Sequence, residues 1–377
     1  MSTLKVDAIV DSSAGNTTTI NGTTPTAYNT MGKNRIINGA MEIDQRSAGT
    51  STTVTGNSYV TCDRWQTFSS QASKYSVQQN AGSVTPPAGF SNYLGVTSLS
   101  SYSISSTDIF NITQIIEGYN TVDLAWGTSD AKTITVSFWV RSSLTGTFGG
   151  VVRNFAGTQN YPFTYTINSA NTWEQKSITI AGSTTGTWIS GNGRSLYLMI
   201  NLGTGSTYSG TAGSWAGGNL WSATGATSVV GTSGATFYIT GVQLEVGSVA
   251  TEFERRPYGT ELALCQRYFY YYAVQIDSET ARGVAQSSTT VFYNFNVPVP
   301  LRTTPTVVFA GYTGLRQRGG GVNNTTTSLT INTVYYSSNS TLVSMYCTTT
   351  GNSGTTPYAI VLSSPDGTGY LTASAEL

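Results

Sequence analysis

Apolar and polar residues alternate along much of this chain, and a period of two is the pattern of β-strands. The even positions between residues 133 and 141 are all apolar: Ile134, Val136, Phe138 and Val140. This spacing puts the four side chains on one buried face of a strand. Turn-forming pairs such as Thr145-Gly146 separate strands of this kind, and short strands at that spacing predict an antiparallel sandwich or jelly roll.

One strand changes phase partway along. Its apolar residues stand at odd positions in Phe237 and Ile239, but at even positions in Val242 and Leu244. An extra residue at the switch would return all four side chains to the same face. We therefore predict a β-bulge at Gly241, since glycine tolerates the backbone that a bulge requires.

A single segment, from about Thr260 to Phe269, has the composition of a helix with an acidic first turn. Strand patterns resume after it, giving about six or seven further strands. Residues 1–30 hold too little apolar material for a core, so we expect them to be ordered only against a partner. The predicted organisation is mainly β, with four parts: an extended anchor at 1–30, a jelly-roll sandwich at 31–256, a linking helix at 257–270, and a smaller C-terminal sandwich at 271–377.

Composition narrows the possible functions. None of the 377 residues is histidine, which excludes Ser-His-Asp catalysis and His-ligated zinc. The 18 basic and 18 acidic residues cancel and form no basic stripe, so we expect no nucleic-acid partner. Apolar runs are too short for a membrane span, and no secretory signal opens the chain. The three cysteines, an odd number, are expected to be buried and free: Cys62, Cys265 and Cys347.

Two segments hold candidate binding residues. A glycine-rich stretch, 203–234, carries Tyr208, Trp215 and Trp221, whose aromatic faces could stack on a sugar or pack within the fold. Tyr312, Arg316 and Arg318 precede three consecutive glycines. That second set is either a flexible hairpin tip or a receptor-contacting loop, because Tyr and Arg dominate binding hot spots.

Catalytic candidates are weaker. Glu42 and Asp44 are two residues apart, as are Glu252 and Glu254, so a strand would place each pair on one face. Acidic pairs at this spacing are usually solvated or salt-bridged. The long repeat of a parallel β-helix, typical of tailspike depolymerases, is absent from the sequence. We therefore predict that the chain is not an enzyme.

Seven motifs in combination resemble a bacteriophage tail-fibre family of cyanophages and marine phages. They are 34–42, 63–65, 137–142, 171–174, 184–188, 237–247 and, most strongly, 253–269. The opening residues 2–25 resemble a virion-attachment leader. The resemblance extends to about residue 272 and is vaguer beyond.

This resemblance implies a jelly roll similar to a carbohydrate-binding module. Such modules often hold a structural calcium, and Asn38, Gly39 and Glu42 match the first half of that site. The second half reads Thr240-Gly241 where the pattern has two aspartates, so Glu42 alone remains a metal candidate and no cofactor is predicted.

The resemblance also implies a homotrimer in the virion tail, made in the host cytoplasm, with residues 1–30 toward other tail proteins. We therefore predict a tail fibre or receptor-binding protein that adheres to host surface polysaccharide. An adaptor or baseplate component is the alternative, and a glycan-cleaving depolymerase is less favoured.

Overall fold

The computed structural model describes residues 32–273, 279–287, 289–310, 315–319, 322–326, 329–349, 358–363 and 369–377. The predicted attachment segment 1–30 lies outside these residues. The strands of the first sandwich are β1 Thr52–Thr53, β2 Trp65–Ser69, β3 Tyr75–Gln79, β4 Leu94–Ser98, β5 Ile109–Glu117, β6 Ile134–Ser142, β7 Gly146–Asn154, β8 Asn160–Ile167, β9 Glu174–Ile180, β10 Arg194–Thr204, β11 Ser209–Gly210, β12 Ser222–Ala223 and β13 Thr236–Val246.

The remaining strands are β14 Phe269–Ala273, β15 Glu279–Ala285, β16 Thr290–Asn296, β17 Thr306–Ala310, β18 Leu315–Gly319, β19 Val322–Thr326, β20 Leu329–Tyr335, β21 Leu342–Thr349, β22 Tyr358–Ser363 and β23 Tyr370–Ser374. Helix α1 spans Tyr258–Gln266, and short 3-10 turns occur at Ala81–Ser83, Gly118–Asn120, Val122–Leu124 and Ser206–Tyr208.

The first sandwich packs a six-stranded sheet, ordered β1-β3-β4-β13-β6-β9, on a five-stranded sheet, ordered β2-β5-β10-β7-β8. The apolar face predicted for β6 is buried, and Ile134 and Phe138 belong to the core between the sheets. The predicted fold class, mainly β with a jelly-roll sandwich, is confirmed. The residue boundaries assigned between its parts stay predictions.

The predicted bulge is confirmed in β13. Its register against β6 shifts between Thr240 and Gln243, and Gly241 has a φ of +61°. Glycine adopts this left-handed conformation without the penalty that a Cβ brings. A Cβ at Gly241 would also lie 2.6 Å from Cζ of Phe90.

Helix α1 begins two residues before its predicted start and ends three residues before its predicted end. It lies on the outer face of the five-stranded sheet, where Cys265 packs in one buried cluster with Ile115, Val151 and Met199. That sheet is therefore apolar on both faces, one toward the sandwich core and one toward the helix.

The second sandwich packs a three-stranded sheet, ordered β14-β23-β17, on a seven-stranded sheet, ordered β19-β18-β22-β15-β16-β21-β20. Its ten described strands exceed the six or seven predicted. Part of the excess comes from the β18–β19 hairpin, which the glycine-rich sequence around it concealed. Val291, Tyr293 and Met345 lie in its core.

The last residues of the chain dock on the first sandwich. The Glu376 carboxylate accepts hydrogen bonds from the guanidinium groups of Arg46, at 2.8 Å, and of Arg64. Arg302 donates to the backbone carbonyls of Ala375 and Glu376, at 2.8 Å each. The bonds of Glu376 to Arg46 and Arg64 tie the two sandwiches together, and those of Arg302 hold the end of the chain against the second sandwich.

Within the part of the chain that the structure describes, no helix is long and apolar enough to span a membrane. All three cysteines are free and buried, as predicted.

Candidate functional site

Strand β14 carries an aromatic run whose members alternate between the two faces of the three-stranded sheet. Tyr270 and Tyr272 point to one face, while Phe269 and Tyr271 point to the other. A cleft opens on each face. We call the first the tyrosine cleft and the second the junction cleft.

The tyrosine cleft has a volume of about 440 Å³, within the range of small-molecule sites. Its lining residues are Tyr270, Tyr272, Thr280, Ala281, Arg282, Asn294, Phe295, Asn296, Leu342 and Leu371. The rings of Tyr270 and Tyr272 have centroids 6.5 Å apart and planes tilted by 32°. Burial, and then the neighbouring Tyr272, raise the pKa of Tyr270, so its hydroxyl stays protonated at neutral pH.

The opposite wall of the tyrosine cleft comes from β15 and β16, which contribute both polar and apolar residues. The register pairs Arg282 directly with Asn294, and Asn296 stands two residues further along β16. Asn294 Oδ1 accepts a hydrogen bond from Ser344 Oγ at 2.6 Å, which fixes the orientation of its amide. Carboxamides present both donors and acceptors, so this wall can match the hydroxyl groups of a ligand.

The junction cleft has a volume of about 500 Å³, and both sandwiches contribute to it. The first sandwich supplies Arg46, Ser47, Thr52, Tyr59 and Val60, and the three-stranded sheet supplies Phe269, Tyr271, Val308, Tyr370 and Thr372. The rings of Tyr271 and Tyr370 are 5.5 Å apart, and Tyr271 is 37% exposed.

Arg46 is the one charged side chain among the described residues that line the junction cleft, and two carboxylates neutralise its charge. Arg46 bonds to Asp63 at 2.9 Å and to Glu376 at 2.8 Å, and its guanidinium lies 3.7 Å from the ring centroid of Phe269. Asp63 is fully buried, and burial raises its pKa to about 6 against the opposing charge of Arg46. Among the described side chains that line the two clefts, none is a carboxylate.

The predicted aromatic candidates lie elsewhere. The ring centroids of Trp221 and Phe68 are 4.5 Å apart. The backbone N–H of Trp221 donates to the Tyr208 carbonyl at 2.8 Å, so the candidates Tyr208 and Trp221 are neighbours. Neither they nor Trp215 are among the residues that line the two clefts. Their role in sugar binding stays a prediction.

Trp215 belongs to a separate group of tryptophans. Its ring lies edge to face with Trp126 at 5.3 Å and with Trp188 at 5.9 Å. Its indole N–H donates to the Ala181 carbonyl at 2.7 Å. The ring of Trp215 therefore packs against two other tryptophans, and its indole N–H is hydrogen-bonded.

The second predicted candidate set is only partly described. Tyr312 lies outside the described residues. Arg316 and Arg318 stand in β18, paired with β19 on one side and β22 on the other. They therefore occupy a sheet strand instead of a flexible hairpin tip, because their backbone groups pair on both sides.

The predicted metal residue, Glu42, lies in a small pocket with Arg255, Arg256 and Glu261. Asn38, from the same motif, uses its side-chain amide to bond Ile43 at both ends, at 2.8 and 3.0 Å. Burial, and then the charge of Glu261, raise the pKa of Glu42. Arg256 lies beside Glu261 at 3.3 Å. The described residues contain no group of three acidic or cysteine side chains placed to hold a metal ion.

Sequence reasoning did not select Tyr270 and Tyr272 as binding residues. A signal was present: a run of aromatics in a strand places successive rings on opposite faces, and a thin sheet cannot bury both. Asn294 and Asn296 gave no comparable signal, because they follow the ordinary alternation of β16.

No protein-family model matches this chain, and no curated protein matches it. Its fold is similar to that of the enzymatically active domain of tailspike protein 4 from bacteriophage CBA120, at 12% identity and a TM-score of 0.29, over 57% of this chain and 21% of that one.

Two further solved structures are similar over their whole length. A putative sugar binding protein from Bacteroides thetaiotaomicron matches at 11% identity and a TM-score of 0.33, over 57% of this chain and 100% of that one. A family 11 carbohydrate-binding module from Clostridium thermocellum, in complex with a mixed-linked tetrasaccharide, matches at 12% identity and a TM-score of 0.25. The match covers 54% of this chain and 100% of that one. At TM-scores this low, these likenesses carry no conclusion about the ligand or function of this chain.

Proposed function

We propose that this chain is a non-catalytic saccharide-binding protein and that the tyrosine cleft holds the sugar. One observation carries the proposal: two tyrosine rings line a cleft whose other described lining residues include Arg282, Asn294 and Asn296. A pyranose has the same two-sided chemistry. Its C–H face packs on an aromatic ring, and its rim of hydroxyls needs donors and acceptors.

The absence of catalysis is supported by the chemistry of the lining. Glycosidases commonly use two carboxylates that flank the bond to be cleaved. The described lining of both clefts contains none, and Asp63 and Glu376 bond to Arg46, which lines the junction cleft. A bound sugar would therefore meet no carboxylic acid among the described lining residues.

The biological setting is proposed on the motif resemblance. The chain would be a tail fibre or receptor-binding protein of a phage, a homotrimer joined to other tail proteins through residues 1–30. Its ligand would be a host surface polysaccharide. Three linked copies can raise avidity by ~10²–10⁴-fold over a single weak site, so a shallow cleft suffices for attachment.

The site can be tested by fluorine NMR on protein labelled with 3-fluorotyrosine. Tyrosine-to-phenylalanine variants assign the resonances of Tyr270 and Tyr272 at the cleft and of Tyr119, which is 63% exposed in the first sandwich and lines neither cleft. The ligands are glucose, galactose, mannose, N-acetylglucosamine and their oligomers. Binding is expected to shift Tyr270 and Tyr272 and to leave Tyr119 unchanged.

Variants then measure the contribution of the ring. Tyr272→Ala is expected to weaken binding, followed at Tyr270, by about tenfold or more, because it removes the stacking surface. Tyr272→Phe keeps the ring and most of the affinity, and Tyr119→Ala is the matched control. Thermal unfolding confirms that each variant is folded. The proposal fails if no saccharide shifts either cleft tyrosine.

A further inference from the structure

We infer that the junction cleft is a second saccharide site, selective for uncharged sugars, and that its occupant contacts both sandwiches. This inference rests on the proposed function, since it assigns the same class of ligand to a separate place. It is carried by the composition of the walls, by the state of the charges behind them and by the origin of the lining residues in two parts of the chain.

The walls of the junction cleft combine aromatic rings with hydroxyls. Tyr271 and Tyr370 present two rings 5.5 Å apart, and Tyr271 is partly open to solvent. Thr52 and Thr372 add hydroxyl groups that can donate or accept, while the Ser47 hydroxyl donates to Asp44 at 2.7 Å. A wholly apolar ligand would offer no partner to the two threonine hydroxyls, whereas a sugar can bond to them.

The charges favour an uncharged ligand. Arg46 is held between Asp63 and Glu376, and Glu376 also bonds to Arg64, so two guanidiniums face two carboxylates. Burial acts to lower the pKa of Arg64, but the charge of Glu376 and neighbouring groups holds it above the ordinary value. A carboxylate on the ligand would lose its water and find no free cation among the described lining residues.

Because the junction cleft lies between the two sandwiches, a ligand bound there should change the stability of the protein. Tyr59 belongs to the first sandwich, and Tyr271 and Thr372 belong to the second. A ligand that fills the space between them binds only when the sandwiches are docked. It therefore stabilises the docked arrangement by mass action and raises the temperature of thermal unfolding.

The fluorotyrosine protein tests this inference independently of the tyrosine cleft. The resonances of Tyr370 and Tyr271 report binding in the junction cleft, and the resonance of Tyr270 reports binding in the tyrosine cleft. Neutral hexoses are expected to shift Tyr370. Galacturonic acid, which differs from galactose only by oxidation at C6, is expected to bind there about tenfold more weakly. Tyr271→Ala is expected to weaken galactose binding at Tyr370 by about tenfold and leave the affinity at Tyr270 unchanged.

A second variant guards against a loss caused by misfolding. Thr372 stands on the central strand of the three-stranded sheet and faces the cleft, so Thr372→Trp fills the space without removing a wall. It is expected to abolish shifts at Tyr271 while Tyr270 still responds. Thr306→Trp is the matched control, since Thr306 is exposed on β17 of the same sheet and lines neither cleft.

The outcomes separate the two proposals. Shifts at Tyr270 with none at Tyr370 overturn this inference and leave the proposed function standing. Shifts at Tyr370 with none at Tyr270 support the inference and remove the tyrosine cleft from the proposed function. Tighter binding of galacturonic acid than of galactose at Tyr370 overturns the charge argument, and no shift at either residue overturns both proposals.

Discussion

Replacing Glu376 by alanine is expected to be among the most damaging single changes at the junction of the sandwiches. Its carboxylate pairs with Arg46 at 2.8 Å and with Arg64, which is only 1% exposed. Removing one partner of a buried ion pair leaves an uncompensated charge and costs about 3–5 kcal/mol. Here two guanidiniums share the carboxylate, so we expect the upper part of that range.

Thermal and urea-induced unfolding measure this cost. A loss of about 3–5 kcal/mol corresponds to a fall in melting temperature of roughly 6–20 °C for a domain of this size. Glu376→Gln keeps a hydrogen-bond acceptor for one arginine and should cost less. Asp123→Ala is the matched control, because its pair with Arg35 is partly exposed and is expected to contribute less than about 1 kcal/mol.

The comparison between Glu376→Ala and Asp123→Ala decides whether the Glu376 carboxylate holds the two sandwiches together. If Glu376→Ala destabilises the protein no more than Asp123→Ala does, the C-terminal carboxylate does not tie the sandwiches together. The reasoning about a neutralised charge network behind the junction cleft would then be wrong as well.

Three further predictions concern stability. Gly241→Ala should lower the free energy of unfolding by about 1–3 kcal/mol, measured by urea titration, because it forces a Cβ into a left-handed bulge against Phe90. Burial raises the pKa of Asp63 from 3.8 to about 6, so the folded state binds the proton more tightly than the unfolded chain. The stability of the wild type relative to Asp63→Asn should therefore rise as pH falls from about 6 to about 4, and a flat difference across that window would contradict the assignment. Because Trp215 is only partly buried, Trp215→Ala should cost less than the roughly 3–5 kcal/mol of a core Trp→Ala change, measured by calorimetry, while the folded protein keeps its saccharide affinity. A selective loss of binding would make Trp215 a sugar platform.

Local patterns predicted the local structure well. The alternation in β6 and the change of phase at Gly241 each depend only on neighbouring residues, so the sequence carries them directly. Helix α1 was also predicted, with its ends displaced by two to three residues. The burial of Met199 on the outer side of its sheet was not predicted, because it depends on the helix that covers that side.

The candidate sites needed the tertiary structure. Arg46 and Glu376 are 330 residues apart in sequence and meet only because the end of the chain docks on the first sandwich. Tyr272 and Asn294 likewise come from different sheets of the second sandwich. Aromatic residues in a glycine-rich stretch were the plausible candidates from sequence, which could not show that Trp215 packs on Trp126 and donates its N–H to Ala181.

The central claim is that this chain binds saccharide without cleaving it. The most direct measurement is light scattering of a purified host surface polysaccharide during incubation with the protein, which reports complex formation and polymer length together. The account predicts a complex in which the polysaccharide keeps its full molar mass. Shortened polymer, or no complex with any bacterial surface polysaccharide, would contradict it.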